Sequence, residues 1–122
     1  ITKNMTKSRG GSIVNISSIS ALDGFEGQVA YSSSKAALVG ATRTLARELG
    51  SFGIRVNCIA PGVIDTEMNA KVPVKTLEER IQLTSLRRIG NPSEVVDLIA
   101  FLVSDLSSYM TGQIIRVDGG MA

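Results

Sequence analysis

A chain of 122 residues with 43% apolar and 20% charged side chains is sized and composed as one globular domain, burying roughly two-thirds of its unfolded surface. Thirteen Lys and Arg against eleven Asp and Glu leave a net charge of +2, which excludes a disordered acidic segment and the basic balance of a nucleic-acid binder. The single cysteine, Cys58, excludes an intrachain disulfide framework and a cysteine-cluster metal site, and the lack of histidine excludes Ser-His-Asp and Cys-His catalysis, His-ligated zinc and a histidine pH switch. Acid–base chemistry here falls to Tyr, Lys, Asp or Glu.

No apolar run approaches the ~18 to 20 residues needed to cross a bilayer, and Ile1-Thr2-Lys3-Asn4 does not open a signal peptide. The expected compartment is the cytoplasm, or an organelle matrix after processing, with no membrane partner. Residues 1–8 read as the tail of a helix and begin on Ile rather than Met, so the chain is expected to be the back part of something longer.

Along the chain, Ser12-Ile13-Val14-Asn15-Ile16-Ser17 is rich in β-branched residues and follows the breaker Gly10-Gly11, predicting a strand and then a loop punctuated by Gly24 and Gly27. From about Gln28 to Ser51, Leu38, Ala41, Leu45, Leu49 and Phe52 recur at helical spacing, with Arg43, Arg47 and Glu48 opposite. The pattern predicts a long amphipathic helix closed by Gly50 and Gly53. Ile54 to Ala60 is a second strand, stopped by Pro61-Gly62. Strand, crossover helix and strand make a βαβ unit with parallel pairing.

Residues 63–75 form a long irregular connection of the kind that serves as a functional loop. Thr76 with Glu79 reads as a capping box opening a short helix, and Asn91-Pro92-Ser93-Glu94 as another. The second box starts a helix whose Val95, Leu98, Ile99 and Leu102 share a face. Gln113 to Val117 is a third strand, ended by Asp118-Gly119-Gly120. The pattern is α/β. It is also incomplete, because three parallel strands leave a long unpaired edge.

Tyr31 and Lys35 lie four residues apart near the start of the long helix, so their side chains share a face one turn apart. A phenol titrates near ~10, and an ammonium beside it favours the phenolate. The pair is a candidate proton donor and acceptor. The same spacing also arises by chance in about one chain in five, as two residues on a solvated helix face. Context adds weight: Ser18 falls at the carboxyl end of the first strand and Pro61-Gly62 at that of its neighbour, the edge where parallel sheets bind ligands. Serines that merely turn the chain and a Pro-Gly that merely stops a strand are the plainer alternatives. Cys58 alternates with Val56 and Ala60 as a core thiol. Ala37, Gly40 and Thr44 make a small-residue strip, suited to close packing on the sheet or on another subunit.

In order along the chain, Asn15-Ile16-Ser17-Ser18, Tyr31-Ser32-Ser33-Ser34-Lys35-Ala36-Ala37, Arg55-Val56-Asn57-Cys58-Ile59-Ala60-Pro61-Gly62, Thr111-Gly112-Gln113 and Val117-Asp118-Gly119-Gly120 resemble the back half of the short-chain dehydrogenase/reductase family. The resemblance covers essentially the whole chain and is strongest to the 3-oxoacyl-acyl-carrier-protein reductases of fatty-acid synthesis. It implies the C-terminal, catalytic part of a doubly wound, Rossmann-type parallel sheet over residues 1–122, the N-terminal dinucleotide-binding part being absent.

It further implies that Ser18 hydrogen-bonds the substrate carbonyl, that Tyr31 protonates its oxygen as hydride arrives, and that Lys35 tunes the tyrosine and holds the nicotinamide ribose. Pro61, Gly62 and Ile64 would line the nicotinamide, Thr66 would reach its carboxamide or the pyrophosphate, and residues 63–85 would form a mobile lid. NADPH is implied ahead of NADH, no metal is implied, and a homodimer or homotetramer would form through the long helix and last strand. Arg9 sits where one arginine of a carrier-protein patch is expected, whereas Phe52 replaces the other. The family's glycine-rich turn, adenosine pocket and further catalytic asparagine have no counterpart here. Two other functions stay open: a short-chain dehydrogenase for a sugar, steroid or small alcohol, and a truncated half-domain that assembles without catalysing.

Overall fold

The structure is a computed structural model describing residues 2–8, 10–67 and 72–121. Three parallel strands, β1 (Gly11–Ile16), β2 (Ile54–Pro61) and β3 (Ile114–Val117), lie in the order β1-β2-β3. Ile13 pairs with Val56, Ile16 with Ile59, and Pro61 with Val117. The helices are α1 (Thr2–Ser8), α2 (Val29–Leu49), α3 (Val74–Gln82) and α4 (Pro92–Val103). The outer edge of β1 has no neighbouring strand among the described residues, as the three-strand pattern requires.

Side chains alternate across each strand, and the two long helices take opposite faces of the sheet. On one face Ala46 of α2 closes over Ile54 and Val56, with Met5, Ile13, Leu45 and Leu49 around them. On the other, Ser12 donates to the Leu102 carbonyl of α4 at 2.8 Å, and Arg55 donates to the same carbonyl at 2.9 Å. This is the α/β, doubly wound layering. Central β2 is the most buried element, with Val56, Asn57, Cys58, Ile59 and Ala60 shut off from solvent. Burial pushes the Cys58 thiol up from its ordinary value, so it stays neutral and packs as a small apolar group.

Three sequence expectations are corrected. The buried stripe of α2 runs through Thr42 and Ala46, while Ala41 and Phe52 are exposed. Thr42 is fully buried because both sides of its hydroxyl are used: it accepts from Asn15 at 2.9 Å and donates to the Leu38 carbonyl at 2.7 Å. Thr76 caps nothing, because Pro73, with φ −54°, stands at the N-cap and the helix begins at Val74. That fixed φ starts the turn early and leaves Thr76 inside it. The irregular connection is correspondingly shorter than residues 63–75, and its residues 68–71 lie outside the described residues, as does Arg9.

At α4 the expected cap forms. The Glu94 carboxylate accepts from the Asn91 N–H at 2.7 Å and from both Arg88 terminal nitrogens at 2.8 and 2.6 Å. Arg88 chiefly, and the Asn91 N–H, hold its pKa at about 2. Among the described residues no helix is long and apolar enough to cross a membrane.

Candidate active site

The carboxyl ends of β1 and β2 open onto one cleft of about 460 Å³, lined by Ser18 and Tyr31 together with Phe25, Gln28, Gly62, Val63, Arg80 and Met121 among others. Its floor is a small apolar cluster of Ile19, Val63 and Met121, against which Phe25, Leu77 and Ile89 pack. Ser18 enters it because β1 stops at Ile16 and the chain turns into a short 3-10 helix, Ile19–Ala21, with Ser18 as its N-cap. Ser18 Oγ accepts from the Ser20 N–H at 3.1 Å and the residue is only 8% exposed. Accepting that bond leaves the serine's own proton free for an acceptor in the cleft.

Tyr31 stands in the first turn of α2 and is 39% exposed. Lys35 is one turn further, its ammonium 5.8 Å from the Tyr31 ring centroid, and it donates to the Ile16 carbonyl at 3.0 Å. Ser17 ties the same turn down from the sheet side, donating to the Lys35 carbonyl at 2.8 Å. The first turns of α2 are thus stitched to the end of β1 by bonds running both ways. One of three ammonium protons is used in this, and the others remain available.

Gly62 answers to a constraint that strand punctuation alone does not reveal. A Cβ there would come within 2.7 Å of the Asp118 Cα, so the close approach of the loop after β3 requires glycine. Gly119 and Gly120, with φ of 66° and 70°, then turn the chain back so that Met121 reaches the cleft and Thr84 bridges to it. Arg116 holds this corner together. Its terminal nitrogens donate to both Asp23 carboxylate oxygens at 2.8 Å, its Nε to Asp118 at 2.6 Å, and one terminal nitrogen also to the Met121 carbonyl at 2.9 Å.

Of the residues singled out from sequence, Ser18, Tyr31 and Gly62 line the cleft directly, with Lys35 behind the tyrosine and Pro61 closing β2. Ile64 is buried, bridges to Gly90 and lines a separate recess of about 310 Å³ with Arg88 and Glu94. Thr66 is exposed, its hydroxyl donating to the Ile64 carbonyl at 3.5 Å. Sequence reasoning missed Gln28, Arg80 and Met121. One signal was present for Arg80: it follows Leu77, a core residue, by three positions on α3 and so shares its inward side. Among the described residues no cluster of three His, Cys, Asp or Glu could hold a metal.

Residues 2–122 match the family model described as enoyl-(acyl carrier protein) reductase. The chain is 50% identical over 117 residues to the 3-oxoacyl-[acyl-carrier-protein] reductase FabG of Thermotoga maritima, covering 96% of this chain and 48% of that one. Against the enzyme of the same name from Chlamydia trachomatis the identity is 47% over 122 residues, covering 100% and 49%. The human (3R)-3-hydroxyacyl-CoA dehydrogenase is 46% identical over 111 residues, covering 91% and 42%. The crystal structure of the 3-oxoacyl-[acyl-carrier protein] reductase from Brucella melitensis superposes with a TM-score of 0.94 at 41% identity, over 98% of this chain and 45% of that one. The chain therefore spans about half the length of the curated relatives it matches. With the parallel sheet, the serine at one strand end and the Tyr31–Lys35 pair facing it, these matches place the chain in the short-chain dehydrogenase/reductase family.

Proposed function

We propose that this chain carries the catalytic part of an NAD(P)H-dependent carbonyl reductase, with a 3-oxoacyl thioester on acyl-carrier protein as substrate and the 3-hydroxyacyl thioester as product. The observation that carries the reading is the joint placement of Ser18 and Tyr31 on one apolar cleft at the strand ends, with the Lys35 ammonium 5.8 Å from the tyrosine ring.

Each residue has a task that its surroundings permit. The Ser18 proton, free because Oγ accepts from Ser20, donates to the substrate carbonyl oxygen and fixes its position. The Tyr31 hydroxyl has no hydrogen-bond partner among the described residues. It delivers its proton to that oxygen as negative charge develops there. Lys35, anchored through Ile16, keeps a positive charge behind the phenol and has protons left for a ribose hydroxyl.

The residues fit the nicotinamide end of a dinucleotide. Gly62 lines the cleft with Ser18 and Tyr31, where the nicotinamide ring would lie, with Pro61, Ile64 and Thr66 neighbouring it along the chain. The cofactor, when bound, supplies the hydride. NADPH, ahead of NADH, is part of the proposal. Self-association through α2 and β3 completes the proposal, supported by the exposed strip of Ala37, Gly40 and Thr44 on α2.

In the full-length protein, Ser18→Ala and Lys35→Ala should each lower kcat at least ~10²-fold with a 3-oxoacyl thioester. Turnover near wild type in either variant contradicts the assignment. A second reading, a coenzyme A thioester as substrate, is favoured by the human relative. Comparing kcat/KM for the same acyl group on coenzyme A and on carrier protein separates the two.

A further inference from the structure

Among the described residues, three cations are partly withdrawn from water: Lys35, Arg55 and Arg80. Two are held by protein oxygens. Lys35 donates to the Ile16 carbonyl at 3.0 Å. Arg55 donates to the Leu102 carbonyl, Ser107 Oγ and the Ser104 carbonyl at 2.9, 2.9 and 3.0 Å. The Arg80 side chain has neither a hydrogen bond nor an ion pair with any described residue. It lines the cleft of Ser18 and Tyr31.

The guanidinium keeps contact with solvent and has no counter-charge among the described residues, so it is open to an anion that enters the cleft. The rest of the wall supplies none, being formed by Phe25, Val63, Val72 and Met121 with the hydroxyls of Ser18 and Tyr31. A second polar group in the same wall is unmet: Gln28 Oε1 is shielded from solvent and has no partner among the described residues. The cleft therefore combines proton donors for a carbonyl, hydrocarbon for an acyl chain, and one fork-shaped cation suited to a two-oxygen anion.

We propose that Arg80 is a specificity-determining residue that binds an oxyanion carried by the substrate away from the reacting carbonyl, so that the preferred substrate is an anionic 3-oxoacyl compound. This rests on the carbonyl-reductase reading. The anion is either the carboxylate of a free 3-oxo acid or the phosphate of a phosphopantetheine arm, which present the same chemistry to a guanidinium.

The test uses the full-length protein, Arg80→Gln and Arg80→Lys, with three substrates: acetoacetate, the acetoacetyl thioester of 4′-phosphopantetheine, and the neutral acetoacetyl thioester of N-acetylcysteamine. The quantity read is the ratio of kcat/KM for each anionic substrate to that for the neutral one. Arg80→Gln should lower that ratio about ten- to a hundredfold for one of the anions, the range of a charge-assisted hydrogen bond. Arg80→Lys should restore part of it. The anion that loses its advantage identifies the source, and either supports the proposal. Ratios unchanged in Arg80→Gln overturn it.

Calorimetric titration of acetoacetate and 4′-phosphopantetheine onto wild type and Arg80→Gln reads the same claim without turnover. At least tenfold weaker binding of one of them in the variant supports the proposal; equal binding, or none to wild type, overturns it. A protein that binds one anion through Arg80 but reduces none of the three substrates refutes the reductase reading alone.

Discussion

The two ends of the β2 strand treat polar groups in opposite ways. At its amino end Arg55 is saturated by two carbonyls and a hydroxyl. Beside it, Asn57 is 0% exposed with both halves of its amide used: it donates to the Met110 carbonyl at 2.8 Å and accepts from the Gln113 N–H at 3.1 Å. At the carboxyl end, among the described residues, Gln28 Oε1 is shielded and unmatched, and Arg80 and the Tyr31 hydroxyl line the cleft without a partner. Polar groups closed on one another serve the fold. Those left open at one rim of the sheet are the groups that the proposed reading assigns to substrate and cofactor.

Substitutions at the closed end should break stability. Asn57→Ala leaves the part-buried Met110 carbonyl and Gln113 N–H without their partner and empties a fully buried site, and should cost about 1 to 3 kcal/mol, read as a lower urea midpoint with an unchanged slope. A loss under about 1 kcal/mol would mean that water reaches this amide. Gly62→Ala joins the two ends. Its new methyl would meet the Asp118 backbone at 2.7 Å, so the loop after β3 must move, costing about 1 to 3 kcal/mol and raising KM with it. An unperturbed variant would show that the approach is not rigid.

The corner bond is a smaller contribution. Arg116 and Asp23 side chains are 35% and 38% exposed, and solvent screening holds such a pair to about 1 kcal/mol or less. A double-mutant cycle of Arg116→Gln and Asp23→Asn measures that coupling, and its loss in 1 M salt would confirm its surface character. The subtlest effect is the pH response of the α4 cap. Glu94 is held at about 2 in the fold, below its ordinary 4.5. Its contribution is therefore complete above about 4.5 and fades as pH falls towards about 2. Glu94→Gln should flatten the melting temperature across that window, and an unchanged slope would assign acid sensitivity to other carboxylates.

Much of the fold was legible because it is written locally. The β-branched run ending at Pro61-Gly62 is β2 to within a residue, and Asn91-Pro92 with Glu94 marks the start of α4. Tyr31 and Lys35 were readable as a pair because a helix brings residues four apart onto one side. The cleft's other walls were not legible, since Met121 reaches Ile19 and Val63 only through the turn at Gly119-Gly120. Thr42 defeated periodicity because its burial depends on Asn15, which lies on another element. Thr76 with Glu79 matched a capping pattern, but the backbone set by Pro73 started the helix first. Patterns failed wherever a distant partner, rather than a neighbour, decided the outcome.

The most direct test of the contrast between the two ends is Tyr31→Phe in the full-length protein, with kcat and melting temperature measured on the same preparation. The hydroxyl has no partner among the described residues, so its removal should leave the melting temperature within about 1 °C while kcat falls at least ~10²-fold. A variant that melts lower and turns over near the wild-type rate would show that the hydroxyl serves the fold, and would contradict the account.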